Sequence, residues 1–141
     1  MKPRIFIDTN VFIFAFEFKK SNSRKVIDLL NNGRIEAVIS ERVIKELVNY
    51  VKKYYNRKLA NDFRNYLIQS NEILFPDELG DEMKRYKGKI KDKDLEQIGA
   101  VKYLGLKYLI SFDRDFKEFE EYTTPKQFIK MMGLRTHKTE Y

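Results

Sequence analysis

"DLEQIGAVKYLGLKYLISFDRDF", residues 94–116, decides the fold. Its first half predicts a helix that stops at Gly105, and its second half, "LKYLISF", predicts a strand that runs directly into Asp113. A helix leading through a short turn into an apolar strand is the repeating unit of a layered α/β protein. The same alternation appears on both sides of the stretch.

Towards the N-terminus, "RIFI" (4–7) reads as a short buried strand, interrupted at once by "DTN" (8–10). "SNSRKVIDLLNNG" reads as a helix, with Ser21 or Ser23 as N-cap, Val26, Leu29 and Leu30 on one face and Gly33 at the stop. "IEAVIS" (35–40) is a second strand, and Ser40 stands where it can cap "ERVIKELVNYVKKYY", whose Val43, Ile44, Leu47, Val48 and Val51 recur at helical spacing. Another helix is expected over "RKLANDFRNYLIQ", then a brief apolar "ILF" suited to a strand, then a turn at Pro76 and Asp77 into the helix "DELGDEMKRYK". "GKIKDKD" (88–94) reads as a loop. Past Asp113, "TTPKQFIKMMG" is a last helix with Pro125 near its start, and "LRTHKTEY" (134–141) is a polar tail expected to fray. The expected architecture is a three-layer sandwich with a mainly parallel central sheet flanked by helices.

The chain has 141 residues, enough for one domain with a core of its own, and its 43% hydrophobic and 35% charged composition, with 11 Phe and 9 Tyr, is that of a globular protein. It has no cysteine and one histidine, which excludes disulfides, a thiolate nucleophile, and zinc sites built on Cys or several His. Any metal must therefore be held by oxygen. The formal charge of +7 favours a polyanionic partner. Asp8 and Asn10 interrupt the first apolar stretch, so no export signal is expected, and nothing approaches the roughly 20 apolar residues of a membrane span. The expected location is cytoplasmic, without a membrane partner.

In open parallel sheets ligands gather at the carboxyl ends of the strands. Asp8 and Asp113 both stand at such ends. Glu46 flanks the apolar stripe of its helix and can lean towards that edge, while Asp94 opens the helix of the first-quoted stretch, with Asp92 two residues before it in the loop. Clustered carboxylates repel one another, and a divalent cation relieves the repulsion. Oxygen-only ligands suit Mg²⁺ or Mn²⁺, which promote phosphodiester hydrolysis. Each acid also has a plain structural reading, as a turn residue, an N-cap or a solvated helix residue.

The order "IDTNVFI", "ISERVIKEL", "DKDLEQIGAVKYLGLKYLISFDRDF" and "TTPKQF" resembles the PIN domain ribonucleases, and most of all their short single-domain VapC-type toxins. The resemblance implies a nuclease domain over residues 1–133 with Asp8, Glu46, Asp94 and Asp113 as catalytic, metal-binding acids. It makes Asp92 and Asp115 accessory, gives Thr9 and Ser111 hydrogen bonds to the acids or to a metal-bound water, and has Asn10 hold the loop after the first strand. The chain departs from the family in having Ser111 where Thr is usual, and two acids where the last one stands. "FDRDF" also resembles the opening of haloacid dehalogenase phosphatases, but only a helix and a tail are expected after it, too little for the rest of that sheet.

Lys52, Lys53, Arg57, Lys58 and Arg64 are interleaved with Tyr50, Tyr54, Tyr55, Phe63 and Tyr66. The pattern suits single-stranded RNA, by phosphate neutralisation and base stacking, and equally suits two packed amphipathic helices. The resemblance implies that these helices form a homodimer face and that an antitoxin protein covers the site. The readings that follow are an RNA-cleaving toxin, an RNA-processing nuclease without an antitoxin, and an inactive PIN-like binding module.

Overall fold

The computed structural model describes residues 2–141. Five strands, β1 (Arg4–Ile7), β2 (Glu36–Ser40), β3 (Glu72–Leu74), β4 (Leu109–Ile110) and β5 (Tyr122–Thr123), form one sheet in the order β3-β2-β1-β4-β5, with every pairing parallel. Seven helices among the described residues flank it: α1 (Thr9–Glu17), α2 (Asn22–Asn31), α3 (Glu41–Tyr54), α4 (Arg57–Ser70), α5 (Pro76–Tyr86), α6 (Leu95–Leu104) and α7 (Pro125–Met131). This is the three-layer α/β sandwich that the alternation of elements predicts.

The central strand shows why. Ile5, Phe6 and Ile7 are fully buried, a continuous apolar run of the kind a parallel strand needs when both faces are covered. Phe6 stands in register between Val38 and Leu109. One consequence matters for function: the Asp8 N–H donates to Ile110 O at 3.0 Å, so the ends of β1 and β4 lie side by side although they are far apart in the chain.

Local signals account for most boundaries. The Ser21 hydroxyl accepts the Arg24 N–H at 3.1 Å and starts α2, and Gly105 ends α6 at φ +61°, a left-handed conformation that costs glycine nothing. Thr124 and Gln127 form a reciprocal capping box at the start of α7. Ser40 does occupy the position before α3, but its buried hydroxyl makes no hydrogen bond. The Arg42 N–H in the first turn of α3 instead donates to Glu96 Oε2 of α6 at 3.1 Å, a cap supplied from another helix.

Three features depart from the expectation. Thr9–Glu17 is a helix, although its sequence "TNVFIFAFE" is so uniformly apolar that no amphipathic period marks it. Tyr122–Thr123 adds a fifth strand too short to carry an alternation. The tail does not fray: Asn22 donates to Thr139 O at 2.6 Å and accepts the His137 N–H at 2.7 Å, and Tyr141 stacks on Phe14 with ring centroids 4.7 Å apart. The fully buried Asn22 gives these backbone groups the partners that a polar stretch lacks on its own.

Candidate metal centre

Asp8 is the N-cap of α1. One carboxylate oxygen accepts the Thr9 N–H at 2.9 Å, and the other accepts the Ser111 hydroxyl at 2.7 Å. A negative charge at a helix N-terminus is favoured, yet Asp8 is only 5% exposed, and burial raises its pKa from 3.8 to about 6 against Ser111, Thr9 and Gln97, which lower it. The nearby Glu46 carboxylate adds to the rise.

Around Asp8 the strand ends and the start of α6 bring further acids. Asp94, Asp113 and Asp115 each offer an oxygen within 4.8 Å of the others. Asp113 follows β4, its N–H donates to Ser111 Oγ at 3.0 Å, and its Oδ1 accepts the Asp115 N–H at 2.9 Å, so one tight turn aims both acids at the same place. Asp94 is 3% exposed, and its Oδ2 is buried with no hydrogen-bond partner. Burial first, then repulsion from Asp113, raises its pKa to about 6, with Asp8 and Asp115 contributing and Lys93 opposing.

A buried carboxylate oxygen without a donor is an unfavourable arrangement that a protein keeps when something else supplies the positive charge. Two lysines supply part of it. Lys91 Nζ stands 3.0 Å from Asp115 Oδ2, which holds the Asp115 carboxyl below its ordinary range, and Lys93 Nζ stands 4.0 Å from Asp113 Oδ2. Neither reaches the orphaned oxygen of Asp94 within hydrogen-bond distance. Hard carboxylate oxygens at this spacing fit a divalent cation such as Mg²⁺ or Mn²⁺.

Of the acids picked out in the sequence, Asp94 and Asp113 come together, and Asp8 lies within electrostatic range of Asp94. Glu46 lies at the rim, accepting the Thr9 hydroxyl at 3.0 Å with Arg42 Nε 3.8 Å from its other oxygen. Asp115 joins the tight trio, whereas Asp92 stays exposed in a 3-10 turn (Asp92–Asp94). Asn10 lies inside α1, and its side-chain amide is 3.5 Å from Ser111 Oγ. Sequence reading missed Lys91, Lys93 and the buried Gln97, one helical turn beyond Asp94. The i, i+3 spacing of Asp94 and Gln97 was the available signal.

The basic and aromatic residues of α3 and α4 divide. Lys52, Lys53, Arg57, Lys58 and Arg64 are exposed, and none pairs with an acid of the cluster among the described residues. Among the aromatics, the Tyr50 and Tyr55 hydroxyls both donate to Glu17 and Phe63 meets Phe16 edge-on at 4.9 Å, while Tyr54 is exposed.

A family model, the PIN domain, matches residues 5–122. No curated protein matches the chain. Among solved structures, a toxin–antitoxin complex from Klebsiella pneumoniae is similar with a TM-score of 0.67 and 18% identity, over 86% of this chain and 97% of the other. DNA-bound VapBC from Salmonella typhimurium gives 0.64 and 19% over 87% and 98%, and Mycobacterium tuberculosis VapC20, described as a toxin cleaving the sarcin-ricin loop, gives 0.60 and 13% over 81% and 93%. No helix among the described residues is long and apolar enough to cross a membrane.

Proposed function

The chain belongs to the PIN domain family, and from that premise we propose that it is a divalent-metal-dependent endoribonuclease, acting as the toxin of a toxin–antitoxin pair. The observation that carries the reading is the orphaned, buried Oδ2 of Asp94 beside Asp113 and Asp115, a donor set suited to Mg²⁺ or Mn²⁺.

Asp94, Asp113 and Asp115 would hold the cation, with Asp8 and Glu46 at its margin. When bound, a divalent cation makes water a better nucleophile and offsets the charge that develops on a scissile phosphate. The chain's own residues do the rest. Ser111 spends its proton on Asp8 and accepts from the Asp113 N–H, which fixes two acids through one hydroxyl. Lys91 and Lys93, paired with Asp115 and Asp113, set two positive charges beside the cluster that would engage the phosphates of a strand crossing it. The exposed basic residues of α3 and α4 extend that positive surface.

Partners follow the same reading. An apolar cavity of about 300 Å³ between α1, α2 and α4, lined by Phe12, Ala15, Phe16, Ile27 and Phe63, offers an antitoxin segment an apolar seat. The proposed homodimer uses the face of α3, α4 and β3, and the exposed Ile68 and Phe75 beside Ile44 and Val48 support that choice. The similar structures include toxin–antitoxin complexes, which supports the antitoxin part.

The test is cleavage of single-stranded RNA by the purified chain with Mg²⁺, with Mn²⁺ and with EDTA. Cutting that EDTA abolishes is expected; cutting that persists in EDTA contradicts the reading. Ser111→Ala is expected to weaken Mn²⁺ binding by about 10- to 100-fold, the usual cost of losing a group that orients a ligand. Calorimetric titration measures it, and unchanged affinity would separate Ser111 from the centre.

A further inference from the structure

Beside the acid cluster lies a cavity of about 520 Å³, lined by Phe112, Arg114, Lys117, Tyr122, Thr124 and Glu140, within the size range of small-molecule sites, roughly 300–1,000 Å³. Phe112 and Arg114 precede and follow Asp113 in the chain, which sets the cavity next to the cluster. The Tyr122 hydroxyl lies within electrostatic range of Arg114, Asp113 and Glu140. We infer that this cavity is a nucleotide subsite that takes an unpaired guanine of the RNA strand next to the cleaved bond, an inference that rests on the nuclease reading.

Three observations converge on that occupant. Phe112 and Tyr122 offer aromatic surface for a base. Arg114 and Lys117 are exposed, and neither forms an ion pair among the described residues, unlike Lys91 and Lys93, so two cations are left for a phosphate. Glu140 is held in place: its backbone O accepts the Lys126 N–H at 3.2 Å, and its Oε2 accepts the Thr124 hydroxyl at 3.2 Å. An acidic side chain on a site for an anionic strand has to face the base rather than the phosphate.

A carboxylate only accepts hydrogen bonds. Guanine presents two adjacent donors, N1–H and N2–H, on one edge. Adenine and cytosine each set a single amino group beside a ring acceptor that repels the carboxylate, and uracil offers one N–H between two carbonyls. The pairing therefore selects guanine. It also gives the docked tail a use, because the tail delivers Glu140 to the cavity.

The test uses the ¹⁵N-labelled chain in EDTA, titrated with the 5′-monophosphates of guanosine, adenosine, cytidine and uridine. Guanosine monophosphate is expected to shift the amides of Phe112, Arg114, Lys117 and Tyr122 saturably, and to bind about tenfold more tightly than the others, as a charge-assisted contact implies. Glu140→Gln should level the four nucleotides, and Tyr122→Leu should weaken all of them. No shift at these amides with any nucleotide, or a guanine preference that survives Glu140→Gln, overturns the inference. Cleavage assays separate the two claims: nucleotide binding here by a chain that cuts no RNA sinks the nuclease reading and leaves the site, whereas cutting without these shifts sinks the site alone.

Discussion

Asp94→Asn is expected to abolish RNA cleavage, by about 10³-fold or more, while making the metal-free protein more stable. The two effects share a cause. Asp94 is buried with Oδ2 unpartnered, and its pKa is raised to about 6 by burial and by the neighbouring acids. At neutral pH the fold therefore carries a charge it would hold more easily as the neutral acid, and asparagine keeps the shape without the charge. It also removes a hard anionic oxygen from the candidate cation site. Cleavage rates in Mn²⁺, with thermal unfolding in EDTA at pH 7.5, read both effects. A variant that cuts RNA at the parental rate would exclude Asp94 from the site. Lost cutting together with a lowered melting temperature would point to a damaged fold instead.

The second large effect concerns pH. In EDTA, the contribution of Asp8 and Asp94 to stability is expected to fall as pH rises from about 4 to 7. Both pKa values are raised in the fold, from 3.8 to about 6. Between those values the folded chain binds more protons than the unfolded chain, so the stability change with pH is negative. The contribution is fully present below 3.8 and is lost as pH passes through about 6. One such shift corresponds to about 3 kcal/mol for an independent, fully buried group, and the mutual repulsion of Asp8 and Asp94 keeps the pair from being a simple sum. A saturating divalent cation reverses the trend, because it binds the ionised acids, and at 100 times its Kd it adds about 2.7 kcal/mol. Urea unfolding followed by tyrosine fluorescence between pH 4 and 7.5, with EDTA and with Mn²⁺, measures both curves. The difference between the parent and Asp94→Asn isolates the site from carboxylates that behave in the opposite way, such as Asp115, whose pKa is lowered by Lys91. Identical pH profiles for the two proteins in EDTA would contradict the proposed burial of charge.

The chain order of strands, helices and acids was legible without a structure. A buried parallel strand writes itself as an unbroken apolar run, as in "RIFI" and "AVIS", and an amphipathic helix as a recurrence every three or four residues, as in α3. An acid placed directly after such a run, as Asp8 and Asp113 are, must sit at the strand's carboxyl end whatever the details of packing. Composition excluded thiol and polyhistidine chemistry outright. These properties are local, and local properties survive in one dimension.

Tertiary structure alone decided the rest. The helix Thr9–Glu17 has no polar face to set a period, and the two-residue strand Tyr122–Thr123 is recognisable only by its partner β4. Asp115 enters the acid trio because the turn after β4 folds its N–H onto Asp113, and Glu96 caps α3 because α6 packs close to the end of β2. The tail 134–141 is polar and silent as a sequence, yet Asn22, more than a hundred residues earlier, holds it down and thereby carries Glu140 to the cavity beside the acids. The cap on α3, the fifth strand and the docked tail rest on hydrogen bonds between residues distant in the chain. Such bonds form only once the sheet has brought their partners within about 3 Å, so no local pattern could announce them.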